Sequence, residues 1–192
     1  MRFRLALLPL LLAFVPACNT KPAPPVVVSV DSPIVPARLQ KSATGAYKSE
    51  EGRFAVNFPK EPSIANKELA TSAGVLKVQT AKVDGGKDLM YSVSHTTYPP
   101  SYGEVDPAKI LDGVRDGLKG QDGELKSDKA TTAGEDKHPA REVRIDAGKN
   151  GIRARLILVD RKLIQVMVVG AKDNLDGPTV EEFFKSFELS LK

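Results

Sequence analysis

Cysteine occurs once and histidine twice in 192 residues. One cysteine excludes an intramolecular disulfide, and these three side chains cannot fill a four-ligand Cys/His metal site within one copy of the chain. No metal or other cofactor is expected; only carboxylate or intermolecular sites stay open. The glycine-rich fingerprints of nucleotide folds, G-x-G-x-x-G and G-x-x-x-x-G-K-[ST], are both missing. Charge of one sign is scarce too, with 28 Lys plus Arg against 24 Asp plus Glu. From Glu51 onward the balance is 22 against 22, so long-range attraction to nucleic acid is not expected. The apolar run at the amino end, Leu5 to Ala17, holds thirteen residues. As a helix it spans only ~20 Å against ~30 Å of hydrocarbon, and Pro9 and Pro16 interrupt it. A permanent transmembrane helix is not expected.

What is present begins with an export address. Arg2 and Arg4 precede the apolar run, and Cys18 follows it. This is the layout of a signal peptide over residues 1–17. Val15-Pro16-Ala17-Cys18 resembles a bacterial lipoprotein lipobox, with proline where a small or aliphatic residue is usual. The resemblance implies cleavage before Cys18 and lipid attachment to it, with multiple acyl chains giving a stable anchor. The alternative is a secreted protein cut near Ala17 that carries a free thiol. Lipid attachment places the product in the exported bacterial cell envelope, with the membrane as its first partner. In a diderm host, Asn19 after the lipidated cysteine favours the outer membrane.

Residues 18–50 read as a tether. Pro22, Pro24, Pro25, Pro33 and Pro36 interrupt pairing and favour extended backbone, so some thirty residues reach at most about 90 Å. Val26, Val27, Val28 and Val30 offer a rival reading as an edge strand. Residues 51–192 form the globular domain, a length suited to one core.

Within that domain the periodicities are mixed. Phe54, Val56 and Phe58 alternate onto one face before Pro59; further strands are expected over 64–70, 74–83 and 88–98, with Gly85-Gly86 as a turn. Asp106-Pro107 marks a helix start, and Ile110, Leu111, Val114 and Leu118 make its apolar stripe up to Gly120. After a polar interval a short strand is expected over 139–146. Residues 152–159 and 163–169, the most apolar stretches, flank Asp160-Arg161-Lys162 as a long hairpin. Pro178 or Thr179, with Glu182 three residues after Thr179, opens a last helix whose face is Val180, Phe183, Phe184 and Phe187. Residues 187–191 return as an edge strand. The fold class is α+β: a mostly antiparallel β-sheet covered by helices, with a β-sandwich as the alternative that the late helix argues against.

Arg53-Phe-Ala-Val-Asn-Phe-Pro59, the Asp106-Pro107 helix, Lys137-His-Pro-Ala-Arg-Glu142, Arg153-Ala-Arg-Leu-Ile-Leu-Val-Asp-Arg161 and Phe183-Phe-Lys-Ser-Phe187 together resemble bacterial PsbP-like domains over roughly residues 51–191. That resemblance implies an α/β/α sandwich around the sheet. The group includes extrinsic photosystem proteins and exported lipoproteins of unassigned role, so it implies binding or assembly and brings no catalytic residues.

Candidate chemistry is sparse. His95 sits among Tyr91, Ser92, Ser94 and Tyr98, and structural hydrogen bonding is the favoured reading over ligand recognition or proton transfer. His138 before Pro139 reads as a turn-positioning residue. Asp112 and Asp116 read as outward-facing charges. Arg141, Arg144, Arg153, Arg155 and Arg161 suit an anion, but Glu142, Asp146 and Asp160 stand near enough to neutralise them. The loop Tyr98, Pro99, Pro100, Ser101, Tyr102 is the candidate contact element, because its prolines limit conformations and its tyrosines join apolar area to polar tips; packing of the tyrosines against the domain is the favoured alternative. No catalytic site is assigned. The function expected is a non-enzymatic, lipid-anchored envelope module for binding or assembling an envelope protein. A small-molecule-binding or carrier lipoprotein is the first alternative, and a hydrolase with a site invisible in sequence is the second.

Overall fold

Burial on both faces of the most apolar segments marks which strands stand at the centre: Leu156, Ile157, Leu158 and Val159 are buried in succession. The computed structural model describes residues 40–41, 46–71, 74–100 and 105–190. The signal segment, Cys18, the tether up to residue 39 and Tyr102 lie outside the described residues. In chain order the elements are β1 (Gln40–Lys41), β2 (Tyr47–Ser49), β3 (Phe54–Val56), β4 (Ser63–Thr71), β5 (Gly74–Gly86) and β6 (Leu89–Thr97). These lead into α1 (Pro107–Lys119), β7 (Glu124–Ala133), β8 (His138–Ala147), β9 (Asn150–Val159), β10 (Lys162–Ala171), α2 (Pro178–Lys185) and β11 (Glu188–Leu189).

The main sheet has the order β4-β5-β6-β10-β9-β8-β7, and every pairing in it is antiparallel. A small sheet, β1-β2-β3-β11, stands apart from it. Side chains of successive strand residues point to opposite faces, so β9 feeds two cores. Ile157 and Val159 join Ile164, Val166, Val168, Tyr91 and Val93 on one face, where Phe54 and Val56 of β3 and Val180, Phe183 and Phe184 of α2 pack against them. Leu156, Leu158 and Ala154 join Val143, Ile145 and Leu163 on the other, with Leu111, Ile110, Val114 and Leu118 of α1. Full burial of each such side chain contributes roughly 1.5–3 kcal/mol, which supplies the packing support that α1 needs. No helix among the described residues is long and apolar enough to cross a membrane.

The α1 start follows the expected chemistry: Asp106 Oδ1 accepts from the Ala108 amide at 2.9 Å, and Pro107 occupies the first turn. Gly120, at φ 62°, ends it. Four expectations change. The domain begins before Glu51, because β2 pairs with β3, Tyr47 packs against the core and Ser49 is buried. The β5–β6 hairpin turns at Lys87–Asp88, both at positive φ (53° and 58°), while Gly85 and Gly86 belong to β5. A two-residue turn of that hand matches strand twist, and Gly85 lies against the Tyr91 ring, where a Cβ would sit 2.2 Å from it. The polar interval before β8 is itself a strand, β7, held at the sheet edge by pairing with β8 rather than by apolar alternation. Finally, α2 begins after Gly177 with no side-chain cap, so Thr179 and Glu182 do not form a capping pair.

Candidate functional site

Three turns meet at the end of the main sheet where β6 finishes and β10 begins. The β9–β10 turn is Asp160–Arg161, with Asp160 in the left-handed region at φ 53°. It is tied to the chain leaving β6: the Tyr98 amide donates to the Arg161 carbonyl at 2.8 Å, and Arg161 Nη1 donates to the Tyr98 carbonyl at 3.1 Å. The β2–β3 turn approaches from the small sheet. There the Gly52 amide donates to Ser49 Oγ at 2.9 Å and Arg53 adopts φ 59°. Gly52 is required by space, since a Cβ would fall 2.3 Å from the Phe54 ring. Lys162 Nζ donates to the Glu51 carbonyl, and the Ser190 amide donates to the Arg53 carbonyl at 2.7 Å, which closes the turn against β11.

Between these turns lies a cleft of about 150 Å³. Its apolar part is Val159, Ile164 and Leu189; its ionic part is Arg53, Arg161 and Lys162 with Asp160. Burial pulls the half-buried Lys162 ammonium below the usual lysine range; Glu51 and Asp160 oppose that, and Arg53 adds to it. Thr97, the last residue of β6, lines this cleft; of the candidate contact residues that follow it, Tyr98 packs against the α1-side core and Pro99 lies 3.1 Å from where a Cβ on Gly74 would stand. Nothing in local sequence pointed to Gly52, Arg53 or Lys162. Asp160-Arg161-Lys162 was legible as a turn, but which strand ends it would meet depends on sheet order.

His95 lies on β6 between Gln79 of β5 and Ile164 of β10 and is buried. Its Nε2 is 3.3 Å from Gln79 Oε1, and Gln79 Nε2 donates to Asn66 Oδ1 at 3.0 Å. Because the Gln79 amide nitrogen is spent on Asn66, its carbonyl oxygen accepts from Nε2–H of a neutral imidazole. Nδ1 is buried with no hydrogen-bond partner. Burial pushes the His95 pKa down, Glu51 opposes this and Lys162 reinforces it. His95 is therefore a structural hydrogen-bonding residue. Ser92 and Ser94 occupy the opposite face of β6 by alternation, and Ser92 Oγ donates to the Met167 carbonyl, so neither forms a Ser/His pair with it. Among the described residues no group of three or more His, Cys, Asp or Glu could hold a metal ion. His138 opens β8 directly after the Gly134–Lys137 turn.

The arginines separate into two kinds. On the α2 side Arg144 reaches Asp176 at 2.7 Å, Arg153 reaches Glu181 at 2.5 Å and Arg155 reaches Glu142 at 2.8 Å. These line a groove of about 400 Å³ whose floor includes Phe184, 4.8 Å from the Arg153 guanidinium. On the α1 side Arg115 and Arg141 share Asp112 and Asp128, with Asp116 on Arg115. Asp112 and Asp116, expected as outward charges, are thus drawn into a network that ties α1 to β7 and β8. Asp146, in turn, takes Lys172 at 3.0 Å. Arg161 is the exception among the five sequence candidates, held by a carbonyl rather than a carboxylate.

No protein-family model matches the chain, and no curated protein matches it. Among solved structures it is similar to cyanobacterial PsbP (CyanoP) from Synechocystis sp. PCC 6803, at 18% identity and a TM-score of 0.49, over 75% of this chain and 91% of that one. That is the group its motifs resemble.

Proposed function

We propose that the chain is a lipid-anchored envelope module that binds a protein partner and performs no covalent chemistry. Cys18 is the anchor, residues 19–39 the spacer and the domain from β1 onward the binding unit, built as an α/β/α arrangement of the PsbP-like kind. Anchoring raises the concentration of the domain beside membrane-bound partners. The observation that carries the reading is the reciprocal pair of hydrogen bonds between Tyr98 and Arg161, at 2.8 and 3.1 Å. It fixes the start of the proline-bounded segment Tyr98-Pro99-Pro100 on the rigid β9–β10 hairpin. A contact element already held in one conformation loses less entropy on docking.

The test is proximity labelling of the native lipidated protein in its source membrane. A reproducible partner, retained with wild type and depleted when Pro99 and Pro100 are both replaced by alanine, supports the reading. Absence of any specific partner from protein verified to be anchored overturns it. Fractionation with Cys18→Ser checks the anchor: release into soluble material is expected, and an unchanged membrane fraction overturns lipid attachment. The small-molecule reading is favoured by one observation, the part-apolar cleft at the sheet end.

A further inference from the structure

Five arginines of this domain are neutralised where they stand. Arg115, Arg141, Arg144, Arg153 and Arg155 each lie on a carboxylate at 3.1 Å or less. Arg161 and Lys162 differ: each is held by a backbone carbonyl, of Tyr98 and Glu51 respectively. A carbonyl orients a cation without cancelling its charge. Both cations line the cleft at the sheet end, over a floor that includes the buried Val159 and Ile164.

We propose that this cleft is a binding site for a carboxylate that carries a compact apolar group. Arg161 offers its remaining guanidinium donors in a planar fork suited to a carboxylate. Lys162 adds a charge already partly stripped of water, so pairing it costs less further desolvation. The apolar group lies on Val159, Ile164 and Leu189. A volume of about 150 Å³ is of the order that an engineered cavity needs to take up benzene, which limits the apolar part to about the size of a valine or leucine side chain. Asp160 on the rim and Glu51 nearby repel a second negative charge, which makes the ligand a monoanion. Inorganic phosphate, largely dianionic near neutral pH and without apolar bulk, matches neither the charge nor the floor.

The chemistry is met by two sources, a free branched short-chain acid or the carboxyl end of a peptide finishing in leucine or valine. Binding of a free acid does not depend on the protein-partner reading. The test is an amide chemical-shift titration on the full chain in detergent micelles with four probes: isovalerate, isovaleramide, and a tetrapeptide ending in leucine as the free acid and as the amide. Saturable shifts confined to Gly52, Arg53, Thr97, 159–164 and Leu189 are expected with at least one acid and with neither amide. Arg161→Gln should weaken binding tenfold or more, whereas Arg144→Gln, in the other groove, leaves it unchanged. Lys162→Met gives a second check that keeps the alkyl stem; should it fail to fold, Arg161→Gln alone decides. Equal binding of acid and amide, or no saturable shift with either acid at millimolar concentration, overturns the site. Acid binding retained in the Pro99→Ala/Pro100→Ala chain, whose partner capture is lost, separates failure of one reading from failure of the other.

Discussion

His95 makes the stability of this domain depend on pH in a direction that can be worked out. It is 2% exposed, donates through Nε2 to Gln79 Oε1, and has Nδ1 buried without a partner. A proton added at Nδ1 would create a donor with no acceptor and a charge packed beside the Phe54 ring, whose centroid is 6.3 Å away. Burial therefore lowers the folded-state pKa below the value near 6.5 of an unfolded histidine; Glu51 opposes this and Lys162 assists it. Below about pH 6.5 the unfolded chain takes up a proton that the folded chain refuses, so the His95 contribution is complete above that value. It is lost as pH falls from there through the folded pKa. One proton sets a ceiling of about 1.4 kcal/mol per pH unit, or at most about 2 kcal/mol between pH 6.5 and 5. Urea unfolding of wild type and His95→Gln over this range measures it. The wild-type curve should fall toward acid more steeply than the variant's. Parallel curves, or a ring titration at or above pH 6.5 by NMR, would refute the reasoning.

Three further outcomes follow from packing and charge. Asp128 bridges Arg115 and Arg141 with side chains only 14–18% exposed, so Asp128→Ala should cost about 2 kcal/mol in denaturant melts, with Asp128→Asn costing less. Burial alone would raise the Asp128 carboxyl, but the two guanidinium groups hold it below the usual carboxylate range. Its stabilisation is therefore present above about pH 3.9 and lost as pH falls through the lowered folded value. Gly113→Ala should raise stability by about 0.5–1 kcal/mol in thermal melts, because the site is helical and a Cβ there meets nothing within 4 Å. Truncation of Phe183, 1% exposed and packed edge-to-face on Tyr91 and tilted against Phe58, to alanine should cost about 3–5 kcal/mol.

Elements with their own periodicity were readable from sequence. The β9–β10 hairpin announces itself by unbroken apolar runs on both sides of three charged residues, and α1 by a cap, a proline and a stripe. β7 was not readable because Glu124 to Ala133 has no apolar alternation; all but two of its residues are exposed. It is a strand because β8 pairs with it and because Asp128 reaches Arg141 and Arg115, contacts that no local window contains. The same limit applies to the cleft. Arg53 and Arg161 are 108 positions apart in the chain, and they line one space only because β11 and β3 bring the small sheet over the start of β10. His95 could be placed on a strand from sequence, but its partner Gln79 depends on which strand lies next to β6.

Net charge concealed the informative feature. A domain with 22 basic and 22 acidic residues from Glu51 onward looks electrostatically idle, and sequence proximity suggested Asp160 as the neutralising partner of Arg161. Instead the turn geometry sends the Arg161 guanidinium back to the Tyr98 carbonyl. On the two broad faces of the sheet, by contrast, cross-strand and helix-to-strand neighbours such as Glu142 with Arg155 and Glu181 with Arg153 cancel each other. Ion pairs of this kind at part-exposed positions each contribute at most about 1 kcal/mol, so their larger consequence is to remove attraction for anions from those faces. At the sheet end Arg161 and Lys162 are instead held by carbonyls beside an apolar floor, which makes the local placement of these two cations, and not the net charge, the physical basis for placing a ligand there.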